Sequence, residues 1–444
     1  MTERVVVMGA AGRDFHDYLT TLRDDPERRV VAFTRAPGQN LGVTEGEDID
    51  FPAALTPEGR GDIPIVPEAD LEATIAEADV DTVFFSYSDV SHDHVMHAAS
   101  RALAAGADFE ILGPDSIQLD VDAPVVAVNA VRTGCGKSQV SGAFAAELDD
   151  RGLDVAIVRE PMPYGDLVEK RVERFADESD LEGLTVEERE EYEQHVTAGH
   201  TVFAGVDYRK VFDEASAEAD VVLWDGGNNE LAFARPDYHV VLVDALRPDH
   251  GEHYHPGETN LRRADAVVVT KENAASDDQI AEATDVAERL APDAPIHHAD
   301  SVVTAEDPER IAGADALVVE DGPTLTHGGT AHGAGYVAAT QCGAASLVDP
   351  KPGAVGEIRD VLEQYDHLDT VLPAMGYSDE QLAHLEETID AADPDVVVAG
   401  TPIDLGAVVD VEAPVVRAHY RVEFHDTDAG ALLEAGLDIE GLSG

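Results

Sequence analysis

The chain has 444 residues, 44% of them hydrophobic, enough for two or three domains with cores of their own. Its 91 acidic residues stand against 29 basic ones, a formal charge of -62, which argues against a nucleic-acid partner because a phosphate backbone is bound by a basic surface. No run of about 18 apolar residues marks a membrane span, and the two cysteines, Cys135 and Cys342, are too few and too far apart to suggest a disulfide framework or a zinc site.

The acidity is spread along the chain between regular apolar runs rather than gathered in a tail, so it predicts a folded protein of a high-salt cytoplasm. Only five of the basic residues are lysines. Any local group of cations therefore works against the background and points to an anionic substrate.

The N-terminal "MTERVVVMGAAGRD" enters a strand at once, without a basic start, an apolar core or a cleavage site, so a cytoplasmic location is expected. Predicted strands Arg4–Ala10, Val30–Arg35 and Thr82–Tyr87 build a first α/β region. The loop after the first strand looks dinucleotide-binding, with Gly9 and Gly12. Phe15 stands where the third glycine belongs, and Arg35 where an acidic ribose ligand belongs, which disfavours NAD and an oxidoreductase. Two readings stand for this loop: a phosphorylated substrate bound through Arg13, or structure alone.

A boundary falls near "LGPDSIQLDVDAP", after which Val125–Ala130 leads into "VRTGCGKSQV". A strand, then Thr133, Gly134, Cys135, Gly136, Lys137 and Ser138, then a helix is the context of a P-loop. The glycines turn backbone N–H groups toward phosphate oxygens, Lys137 reaches the β- and γ-phosphates, and Ser138 ligates Mg²⁺. Gln139 follows in the same helix turn. Val131 replaces the usual first glycine, with Asn129 and Arg132 placed to shape the loop, and Cys135 reads as a small loop filler.

After the strand Asp154–Glu160, the residues Arg159, Lys170, Arg171 and Arg174 form a basic cluster. Arg171 and Arg174 are expected on one helix face, where they suit a doubly phosphorylated molecule or pair with Glu169 and Glu173. Strand Val221–Gly227 ends in Asp225, a Walker B type acid for the metal, followed by two glycines. After His239–Ala245, the loop "RPDHGEHYHPGETN" carries Arg247, for phosphate contact, together with Glu258, Asn260 and His250, His253 and His255, whose spacing also suits a metal. Strand Ala266–Glu272 ends in "TKEN", a variant of the base-reading element of P-loop GTPases. Asn273 replaces the guanine-reading acid, which favours ATP, with Lys271 placed along the base.

Strands Ala316–Gly322, Asp369–Gly376 and Asp395–Pro402 follow, with Thr326 and His327 in a glycine-rich loop that reads as an anion-binding loop or a hinge. The fold class is α/β: a Rossmann-like N-terminal domain (1–120), a P-loop NTPase-like doubly wound parallel sheet (121–320) and a smaller C-terminal α/β region (321–444).

The ordered motifs "MGAAGRDFH", "NAVRTGCGKSQ", "PMPYGDL", "EEREEYEQH", "AGVDY", "WDGGNN", "PGETNLRRAD" and "GPTLTHGG" resemble the cyclic 2,3-diphosphoglycerate synthetase family. The resemblance implies an ATP-dependent ligase that closes 2,3-bisphosphoglycerate into an intramolecular phosphoanhydride and releases ADP and phosphate. On that reading Lys137, Asp225, Arg159 and Arg247 are catalytic, Ser138 and Asp225 take Mg²⁺, and Arg13, Arg132, Arg171, Arg174 and Asn260 bind the phosphorylated glycerate. A second class stays open, a nucleotide-gated switch or chaperone acting on a protein partner. A homodimer stays open too, because the charge opposes association only at low salt.

Self-repulsion of this size is screened over about 10 Å at 0.1 M salt but over about 3 Å at 1 M. The melting temperature is therefore expected to rise with KCl across that interval in scanning calorimetry. A flat profile would remove the high-salt reading.

Overall fold

The computed structural model describes residues 2–37, 49–160, 166–227, 230–321, 333–365, 368–374, 379–401 and 403–442. Residues 161–165, 228–229 and 322–332, which include Thr326 and His327, lie outside them. The class is α/β. The chain falls into two compact units, Met1–Arg174 with His200–His298 and Phe424–Gly444, and Phe175–Gly199 with Ala299–Glu423.

The first unit holds two sheets. In the N-terminal one the order is Ile49–Phe51, Ile63–Pro67, Arg28–Arg35, Glu3–Met8, Thr82–Phe85 and Asp108–Glu110, and only Ile49–Phe51 runs antiparallel. Val5 to Met8 are fully buried because helices cover both faces, as the unbroken apolar run requires. One face packs Phe15, Tyr18, Phe33 and Phe51, with ring centroids 4.9 to 5.5 Å apart. The other packs Met8, Leu71, Ile75, Phe85 and Val95. The order leaves Glu3–Met8 in both directions, so a topological switch point lies between it and Thr82–Phe85. Open α/β sheets bind ligands in that crevice, at the carboxyl ends of the strands.

The second sheet is parallel, in the order Thr201–Ala204, Val155–Arg159, Val221–Gly226, Val125–Ala130, Tyr238–Asp244, Ala266–Thr270 and residues 296–298. The P-loop strand thus lies centrally, beside the strand that ends in Asp225. The helix Lys137–Asp150 packs on it through Val140, Ser141, Phe144, Ala145 and Leu148, an i, i+4 stripe. His16 joins the two sheets. Its ring stacks on Phe233 at 4.1 Å, and its Nε2–H donates to the Ile117 carbonyl at 2.8 Å. Burial pushes its pKa down to about 3, so it is a neutral core residue at physiological pH.

The second unit has a parallel sheet of Val415–Phe424, Val396–Gly400 and Asp315–Asp321, with Ser346–Leu347 and Val371–Ala374 along the far edge. Its core is aliphatic: Leu317, Val319, Ile358, Leu372, Ile389 and Val397. Glu320, buried at the end of its strand, accepts the N–H groups of Gly333 at 3.0 Å and Tyr336 at 2.8 Å where the helix Ala334–Gln341 begins. Among the described residues no helix is long and apolar enough to cross a membrane.

Phe33 is fully buried among three aromatic rings, so Phe33→Ala leaves a cavity that the sheet cannot close. A loss of about 3–5 kcal/mol is expected in denaturant unfolding.

Candidate active site

Gly134 and Gly136 take left-handed φ values of 82° and 96°, which an L side chain rarely adopts. Gly136 caps the helix Lys137–Asp150 without a side-chain acceptor, so the first-turn N–H groups face the loop. Val131 does not sit in the phosphate-facing turn. Its N–H still donates to the Leu242 carbonyl at 2.9 Å in the sheet, and its side chain is fully buried. The close approach falls to Gly257 instead, where a Cβ would stand 2.0 Å from the Val131 carbonyl oxygen. Cys135 is fully buried, and burial pushes its thiol up to about 11, which removes it as a nucleophile.

Asp225 is fully buried at the end of its strand, yet both carboxylate oxygens are satisfied. Ser141 Oγ donates to Oδ1 at 2.6 Å, and Arg159 NH1 donates to Oδ2. Lys137 Nζ lies 3.6 Å from Oδ1 and donates to the Asp225 carbonyl. Two cations and a hydroxyl thus meet on one carboxylate, and Ser138 lies in the first turn of the same helix.

A second acid, Asp244, organises the other side. Arg247 contacts it at 2.8 Å and Lys271 at 3.0 Å, while Arg247 NH2 also donates to the Thr133 carbonyl at 2.9 Å. Burial raises the pKa of Asp244, but Lys271 and Arg247 outweigh it and hold the carboxyl below its ordinary range. Lys271 adopts φ 63°, a left-handed turn, and its amine donates to Asp244. Thr270 Oγ1 donates to the Cys135 carbonyl at 2.7 Å.

The switch point of the N-terminal sheet faces this loop. Asp89 Oδ1 accepts the Thr133 N–H at 3.1 Å and lies 3.4 Å from Arg132 Nε. The Arg132 guanidinium sits 4.0 Å from the Tyr254 ring centroid. Tyr254–His255 pairs antiparallel with Val90–Ser91. Glu160 accepts the Arg13 N–H at 3.1 Å and is wedged between glycines: a Cβ at Gly12 would lie 2.0 Å from it, and one at Gly227 2.3 Å. Arg13 is 2% exposed, and its NH1 lies 3.2 Å from His255 Nε2 and 3.4 Å from Ser88 Oγ.

Over 427 residues, covering 95% of this chain and 94% of the relative, the sequence is 50% identical to the arginine synthetase ArcE of Thermococcus kodakarensis. The chain belongs to the arginine synthetase ArcE family. No family model matches it. Among solved structures, LpxK from Aquifex aeolicus in complex with ATP aligns at a TM-score of 0.37, with 16% identity over 70% of this chain and 86% of that one. Cobyrinic acid a,c-diamide synthase from Mycobacterium smegmatis, with an ATP analog and magnesium, aligns at 0.19, with 18% identity over 40% and 72%. Both are too distant to bear on function.

In this ArcE family member several expected site residues take other places. Arg171 and Arg174 share no helix face. A short turn, Glu169–Arg171, is followed by the edge strand Glu173–Phe175, because Val172 is already extended. Arg174 pairs with Glu218 at 2.7 Å, both exposed, and Arg171 lies 3.9 Å from Asp207. Asn260 is buried, and its Nδ2 donates to the Glu230 carbonyl at 3.1 Å, as Asn129 Nδ2 does at 2.9 Å. The histidines diverge: His255 faces Arg13, and the His250 ring packs on Tyr254 at 4.5 Å. Among the described residues no three His, Cys, Asp or Glu side chains are grouped to hold a metal ion. Sequence reasoning missed Asp89, Ser141, Glu160 and Asp244. Only Asp244, at the end of an apolar strand, carried a signal that could have found it.

Removing Arg159 takes from the buried Asp225 one of its cations and leaves Lys137. Arg159→Met is expected to destabilise the fold by about 3–5 kcal/mol in denaturant titration. A loss below about 1 kcal/mol would mean that Lys137 alone compensates the buried charge.

Proposed function

We propose that this chain is an ATP- and Mg²⁺-dependent ligase that forms arginine. The observation that carries the reading is the 50% identity to an arginine synthetase across 95% of the chain, and the P-loop geometry supports it. The two left-handed glycines and the helix start at Lys137 suit a nucleotide's phosphates. Ser138 is the residue that would hold Mg²⁺; Asp225, expected to share it, is buried with both oxygens already taken by Ser141 and Arg159 and does not fit that role in this arrangement. Bound ATP–Mg²⁺ supplies the phosphoryl group.

Within the chain, Lys137 neutralises charge on the transferring group. Arg159 and Ser141 fix the Asp225 carboxylate. Arg247 and Lys271 are joined through Asp244, and Arg247 braces the loop at Thr133; Lys271 would lie along the base.

The chemistry of the product sets the acceptor. The guanidinium carbon of arginine carries three nitrogens, so a phosphoryl-driven route starts from an oxygen-bearing counterpart, the ureido amino acid citrulline. Its carbonyl oxygen accepts the phosphoryl group. Ammonia then attacks the carbon, and the oxygen leaves with phosphate. No protein nucleophile is needed, and positioning supplies much of the rate.

Cyclisation of 2,3-bisphosphoglycerate, which the motifs imply, is the second reading. It asks for several cations facing one polyanion. Arg159, Arg171, Arg174 and Arg247 are instead each set against a carboxylate of the protein, which favours the arginine reading.

Phosphorus NMR in molar KCl, with Mg²⁺, ATP, citrulline and ammonium, is expected to show ADP and phosphate, matched one for one by arginine in amino-acid analysis. Paired phosphoanhydride resonances with 2,3-bisphosphoglycerate would favour the second reading. ADP and phosphate with neither acceptor converted would point to an NTPase acting on a protein partner. Lys137→Ala is expected to abolish turnover with the fold intact, and wild-type turnover in that variant would sink the P-loop assignment.

A further inference from the structure

We propose that Arg13 anchors the α-carboxylate of the amino-acid substrate, in the crevice where the N-terminal sheet meets the P-loop. The assignment rests on the arginine reading above.

Arg13 follows the first strand, and Ser86, Ser88 and Asp89 follow Thr82–Phe85. They therefore meet at the switch point of the N-terminal sheet, the crevice in which such sheets hold ligands. The guanidinium is 2% exposed, and among the described residues its Nε and NH2 carry no hydrogen bond. Burying a cation with free donors is costly unless a partner arrives.

The neighbours do not use those donors up. Asp17 balances the charge from the Nε side: its Oδ2 is 3.7 Å from Nε and accepts from Ser86 Oγ at 2.8 Å, and its Oδ1, like Nε and NH2, carries no hydrogen bond among the described residues. Ser88 and His255 both contact NH1 alone. A guanidinium only donates, so His255 Nε2 accepts and the imidazole proton sits on Nδ1. These contacts hold NH1 in place, and NH2 is the donor left furthest from them for a substrate anion. Two planar oxygens match two N–H groups, as a carboxylate does.

Contacts run from this point to the P-loop. Ser88 adjoins Asp89, which accepts the Thr133 N–H of the P-loop, and His255 adjoins Tyr254, on which Arg132 stacks. The Arg13 N–H is held by Glu160, which packs against Gly227, two residues beyond Asp225. A substrate anchored at Arg13 has its carboxylate end in the N-terminal sheet and its side chain free to run toward the P-loop. An extended amino acid with a reactive far end suits that arrangement.

Calorimetric titration of the full chain with arginine and with agmatine, its decarboxylated analogue, tests this in molar KCl with Mg²⁺ and ADP. Wild-type protein is expected to bind arginine about 10- to 100-fold more tightly than agmatine. In Arg13→Gln, arginine should fall to the agmatine level, with agmatine and ADP affinities unchanged. Arg13→Lys should recover part of the preference. Equal wild-type affinities, or a preference that survives in Arg13→Gln, would overturn the Arg13 assignment and leave the arginine reading standing. No arginine binding by wild-type protein that still binds ADP would overturn both. Should Arg13→Gln fail to fold, the wild-type comparison and Arg13→Lys still decide.

Discussion

A fully buried carboxylate in the middle of a parallel sheet needs compensating charge, because its desolvation is otherwise prohibitive. Asp225 is such a group, and what satisfies it defines the site. Arg159 arrives from the neighbouring strand, Ser141 from the P-loop helix and Lys137 from the start of that helix. Sheet order makes this possible, since the strand ending in Asp225 lies between the strands that lead to the other groups. The buried charge thereby ties three elements together at the end of the sheet where the P-loop glycines open.

The N-terminal sheet is fastened to that assembly by small residues as much as by polar ones. Glu160 fits only because Gly12 lies on one side of it and Gly227 on the other. Gly257 lies against the Val131 carbonyl in the same way, so the loop that carries His255 can reach the P-loop. His16, neutral and stacked on Phe233, seals the apolar part of the joint. The switch point of the N-terminal sheet faces the P-loop as a result, with Asp89 on the Thr133 N–H.

Scarce cations are used sparingly in this acidic chain. Arg247 and Lys271 share Asp244 and hold the P-loop from one flank, while Arg132 and Asp89 hold it from the other. Arg174 does none of this, and its exposed pair with Glu218 contributes little. Arg13 differs from these in being buried with donors to spare.

Much of the fold was legible in the residues. Apolar runs such as Val125–Ala130 and Tyr238–Asp244 announce parallel strands, and glycines before Lys137 and Ser138 announce a phosphate loop, because both signals are local in sequence. Strands with mixed patterning, such as Ile296–Ala305 and Val415–Phe424, escaped, since polar residues interrupt them. So did the turn and edge strand that separate Arg171 from Arg174. The sequence alone therefore determined the α/β class, the P-loop and the acid that faces it. Only the tertiary structure decided which cations are already paired, and that Asp89 stands beside a loop more than 40 residues further on. Pairing and burial depend on strand order and on side chains far apart in the chain, and no local pattern encodes either.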